Sequence, residues 1–206
     1  AARPDEVADD AAEAPAASPP PAPPAALPPM APPAPPERAL AAVAEGLDVT
    51  LEARELTGSL IYATLSYRLT VINHGPASTG PLAVAGDLVS AHAAIDSRAQ
   101  LAPEAGTLAP LHEAPPLAPG ESAELSGALR MPLSAILPLA GGAAFVPLAR
   151  FHITAPVENG AAFAQTRIFV VGPAGGMPGD ALRPFRFDRF PGVVRDLGQR
   201  EIPGSP

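Results

Sequence analysis

The stretch "IYATLSYRLTVINHG", residues 61–75, decides how the chain is read. Ile61, Ala63, Leu65, Tyr67, Leu69 and Val71 fall at every second position, with Thr64, Ser66, Arg68 and Thr70 between them. Strand side chains alternate between two faces, so the pattern predicts a β-strand with one buried face. The strand ends at Asn73-His74-Gly75, where Asn and Gly accept turn geometry that a bulky Cβ resists. His74 reads as a solvated turn residue.

The same period recurs on both sides. In "LDVTLEARE" (47–55), Leu47, Val49, Leu51 and Ala53 alternate with Asp48, Thr50, Glu52 and Arg54. Further along come "PLAVAGDLVS" (81–90), "ESAELSGALRM" (121–131), "AAFVPLARFHIT" (143–154) and "FAQTRIFVVG" (163–172). Pro147 places its strand at a sheet edge or a bulge, and Asn159-Gly160 signals a hairpin turn. The helical candidates, 93–102 and 132–140, are short. Six or seven strands without alternating helices predict an all-β, antiparallel, immunoglobulin-like β-sandwich over residues 47–172.

The flanks differ in composition. Of 30 prolines, 13 precede residue 40, and residues 1–42 carry six acids against two arginines. Pro removes backbone donors and Ala offers little to bury, so 1–42 is predicted to be a disordered spacer with polyproline II character. Its "PPPAPP" also has the P-x-x-P spacing of a ligand for proline-recognising domains. Residues 173–206 form a Gly/Pro-rich C-terminal extension. Its middle, "LRPFRFDRFPGVVRDL", holds three Phe and four Arg. Residues 182–190 are expected to dock on the sandwich, rings inward and guanidinium groups outward, between mobile flanks.

The formal charge is −8, and all 13 cationic residues are Arg. An acidic chain lacks the basic surface that phosphate binding needs, so nucleic acid is not an expected partner. The absence of Cys excludes disulfides and thiolate chemistry. No apolar run of membrane-spanning length occurs. The first residue is Ala1, and membrane association is expected only through an anchor or signal peptide upstream of it.

"YRLTVINHGP" and the later "LAPGESAEL" together resemble bacterial immunoglobulin-like modules of the cell-adhesion-related (CARDB) type. The matching positions are Val71, Asn73 and Gly75, then Leu117, Pro119, Gly120, Glu121 and Ser122. Residues 91–116 are a longer insertion than a minimal module carries. The resemblance implies a non-catalytic module of the bacterial cell envelope, periplasmic or membrane-anchored.

Chemistry-bearing groups do not converge in the sequence. His74, His92, His112 and His152 lack metal-ligand spacing. Ser90 with His92 lacks any oxyanion-hole motif. Asp48, Glu52 and Glu55 do not form a calcium loop. No cofactor, metal or catalytic residue is therefore expected. The candidate partner-binding residues are Arg183, Phe185, Arg186, Phe187, Arg189 and Phe190, facing a protein partner or an anionic or lipid surface. The expectation is a non-catalytic interaction or accessory module on a Pro/Ala spacer. The alternative is a glycan- or small-molecule-active, hydrolase-like sandwich domain.

Overall fold

The alternating stretch forms strand β2 (Tyr62–Asn73), and its inward residues Ala63, Leu65, Tyr67, Leu69 and Val71 are buried. It lies between β1 (Leu47–Gly58) and β5 (Ser122–Pro132), both antiparallel to it. The computed structural model describes residues 46–139, 141–156, 162–175 and 181–203. The expected disorder of 1–42 and the Asn159-Gly160 turn lie outside them.

The other strands are β3 (Leu82–Ala91), β4 (Ala109–Ala114), β6 (Ala144–Pro156), β7 (Ala162–Pro173), β8 (Phe185–Arg186), β9 (Gly192–Val194) and β10 (Leu197–Ile202). One sheet has the order β5-β2-β1-β9; the other has β10-β7-β6-β3-β4, with β8 added to β6. Every ladder is antiparallel. The inner faces share one core. There Tyr67 of β2 packs edge-on against Phe151 of β6, ring centroids 5.1 Å apart. The chain is thus an all-β antiparallel sandwich.

In β1 the register shifts between Ala53 and Glu55, so Arg54 is an extra residue. The bulge reverses the parity of the residues beyond it, and Leu56 rather than Glu55 turns into the core. Outside the second sheet sits helix α1 (Ser97–Leu101), capped by Asp96, whose carboxylate accepts from the Arg98 and Ala99 amides. Arg150 lies beneath it, 8% exposed. It pairs with Asp87 at 2.8 and 2.5 Å and donates to the Ala99 and Gln100 carbonyls. A buried guanidinium needs such full pairing.

Four expectations change. Ile61 is 64% exposed, because the chain is still turning there and β2 starts at Tyr62. Pro147 lies in an interior strand. It falls between the β6–β8 ladder, at Ala144 and Phe145, and the β6–β7 ladder, which begins at Leu148. A residue without an N–H fits such a gap. The 91–116 insertion contains an edge strand, β4. The C-terminal segment is more than a docked patch with mobile flanks. After β8 it adds β9 to β1 in one sheet, then crosses to add β10 to β7 in the other.

Candidate functional site

The two halves of the motif meet around Asn73, which is fully buried. Its Nδ2 donates to the Ala77 and Leu117 carbonyls at 2.8 and 3.0 Å, and its Oδ1 accepts from the Gly75 amide at 3.0 Å. Its backbone bonds Glu121 and Gly120. Gly120 has φ +83°, a conformation that favours glycine. His74 is exposed, and its amide bonds the Gly46 carbonyl. These bonds brace this end of the sandwich, beside a hollow of about 500 Å³ lined by Pro81–Ala83 and Glu113–Pro115.

Tyr67 and His112 form a second polar contact, inside the sandwich. Tyr67 Oη lies 2.8 Å from His112 Nε2. Burial pushes the phenol up to about 12 and holds the imidazole below its ordinary value. A Cβ at Gly127 would stand 2.8 Å from Tyr67 Oη and 3.0 Å from His112 Nε2. The glycine therefore makes the space that the pair occupies. His152 faces Thr166 Oγ1 at 3.0 Å on the neighbouring strand, and burial lowers it too. Among the described residues, no three His, Cys, Asp or Glu gather where a metal could be held.

The opposite end is built differently. There β1 ends, β2 and β6 begin, and the C-terminal segment crosses. Phe145 of β6 anchors it, with centroids 5.7 Å from Phe185, 5.2 Å from Phe187 and 5.8 Å from Phe190. Phe190 also lies over Gly58, where any Cβ would overlap its ring. Clustered rings supply the apolar area that orders this short segment.

Over that aromatic base the chain leaves a cleft of about 540 Å³. Arg183, Arg186, Arg189 and Arg195 line it, with Pro184 and Val193 among its apolar residues. Arg186 is held by Asp188 at 2.8 Å, and Arg195 by Glu55 at 2.9 Å. The hydrogen bond from Arg186 keeps the Asp188 carboxyl below its usual range. Arg183 and Arg189 make no ion pair among the described residues. Asp196 also borders the cleft.

The cleft adjoins an apolar tip. Leu60, Ile61 and Tyr62, at the β1–β2 turn, are 83%, 64% and 43% exposed. Val193 lines the cleft and pairs with Thr57, near the same turn. Another cavity, of about 480 Å³ beside α1, offers less, since its Arg150 is already fully engaged.

Of the six sequence candidates, Arg183, Phe185, Arg186 and Arg189 border the cleft. Phe187 and Phe190 pack on the core instead. Arg195 belongs to the same Arg/Phe stretch, whereas Val193 and the 60–62 tip were not among the candidates. The signal for the tip was "GSLIY", three apolar residues directly after a Gly-Ser turn.

No family model matches the chain, and no curated protein matches it. Among solved structures, it is similar to Bacteroides uniformis beta-glucuronidase 2 covalently bound to cyclophellitol-6-carboxylate aziridine. The identity is 14% and the TM-score 0.31, over 60% of this chain and 12% of that one. A superposition of that quality identifies neither a fold family nor an activity.

Proposed function

We propose that this chain is a non-catalytic interaction module of a bacterial envelope, carried on its Pro/Ala-rich spacer and binding a protein partner through one end of the sandwich. The observation that carries the reading is the asymmetry of the two ends. One is braced around Asn73, and the hollow of about 500 Å³ beside it, at Pro81–Ala83 and Glu113–Pro115, has Glu113 as its one charged lining residue. The other leaves Leu60, Ile61, Tyr62 and Val193 exposed beside an arginine-lined cleft. Adjacent exposed apolar residues with a polar border suit a binding surface.

Photo-crosslinking in the native cells tests it. Benzoylphenylalanine is placed at Ile61 or, as a control, at Ser126 on the outer face of β5. A discrete protein adduct from position 61 and none from position 126 is the expected result. Adducts of equal strength from both positions, or none from position 61, would contradict the reading.

A further inference from the structure

We propose that the cleft beneath the apolar tip receives an acidic peptide segment of the partner, whose carboxylates seat on Arg183 and Arg189 while an apolar side chain lies against Val193 and Pro184. The inference rests on the interaction reading above and names the chemistry of its ligand. Guanidinium groups are planar forks that match carboxylates with two parallel hydrogen bonds. Four of them line this cleft, but they are not equivalent. Asp188 and Glu55 hold Arg186 and Arg195 in exposed ion pairs that orient those two, and Asp188 also feels the charge of Arg189. Arg183 and Arg189 have no such partner among the described residues, and both are exposed.

The surroundings select the kind of anion. Asp188, Asp196 and Glu55 are close by, so a densely charged polyanion would meet carboxylates as well as arginines. The whole chain carries −8, and a broad anionic surface such as a bilayer would be repelled from most of it. A short segment with one or two carboxylates meets only the local field, which is screened within about 8 Å at physiological salt. The concave shape and the 47% exposure of Val193 leave room for an apolar neighbour of those carboxylates.

The test is fluorescence anisotropy of the full chain with a labelled peptide alternating Glu and Leu. Saturable binding that weakens as salt rises is expected. Arg183→Glu with Arg189→Glu should weaken it by about tenfold or more. The gentler pair Arg183→Gln and Arg189→Gln should fall between, and Arg98→Glu, in α1, should match wild type. An unchanged thermal midpoint confirms that the variants fold. Equal binding by all variants would overturn the proposal, as would binding of phosphatidylglycerol vesicles but not of the peptide. If the position-61 adduct survives while the peptide fails to bind, the cleft assignment falls and the module reading stands. If the peptide binds as expected but position 61 yields no adduct, the module reading falls, and with it the assignment of the peptide to a partner, while the cleft's preference for acidic peptide stands.

Discussion

The side-chain amide of Asn73 donates to the Leu117 carbonyl at 3.0 Å, joining the turn after β2 to the turn before β5. Two further bonds, to the Ala77 carbonyl and from the Gly75 amide, use the rest of the same amide. Asn73→Ala would strand buried polar groups on both turns. We expect a loss of about 2–4 kcal/mol in urea unfolding. His74→Ala, one residue on and exposed, should stay within about 0.5 kcal/mol of wild type.

Gly127→Ala should destabilise by about 1–3 kcal/mol, because its Cβ would press on Tyr67 Oη and His112 Nε2. Tyr67→Phe removes the hydroxyl that the methyl would meet. In a double-mutant cycle by urea unfolding, the two changes should therefore cost less together than the sum of each alone.

Half-buried histidines give the stability a direction with pH. His112 and His152 are both held below 6.5 by burial. The unfolded chain thus binds protons that the folded chain refuses. Their contribution is complete above about 6.5 and declines as pH falls through that value towards the folded values. The urea midpoint should fall between pH 7.5 and pH 5, and His112→Gln should flatten that fall. Tyr67, pushed up to about 12, acts at the other extreme, and its contribution is lost as pH rises from about 10 towards 12.

The aromatic base should carry the C-terminal segment. Phe185 is 2% exposed, and Phe185→Ala should cost about 3–5 kcal/mol in urea unfolding. Arg183→Ala, exposed at the cleft, should stay within about 0.5 kcal/mol. Comparable costs at the two positions would mean that the rings do not anchor the segment.

Strands that bury one face were legible in the sequence, because burial imposes the period of two. β2 and the first half of β1 show this. The bulge at Arg54 was not legible, since one extra residue leaves the composition unchanged and only shifts parity. β4, β9 and β10 were missed for another reason. They are short, lie at sheet edges, and need few inward apolar residues; Pro110 in β4 and the polar "GQRE" of β10 hide them. The arginines of the cleft were visible as a local cluster. Their meeting with the 60–62 tip depends on the long-range pairing of β9 with β1, which composition does not report.

The C-terminal segment is part of the sandwich and shapes its exposed end. Hydrogen exchange of the full chain tests it most directly. The amides of Leu197–Ile202 that face β7, together with those of Phe187 and Phe190, which bond the Ala143 and Phe187 carbonyls, should be protected. We expect the β10 amides to exchange at rates approaching those of β7 itself. Exchange at the rate of an unstructured peptide throughout 185–202 would contradict it, because the cleft and the Val193 side of the tip would then not exist in solution.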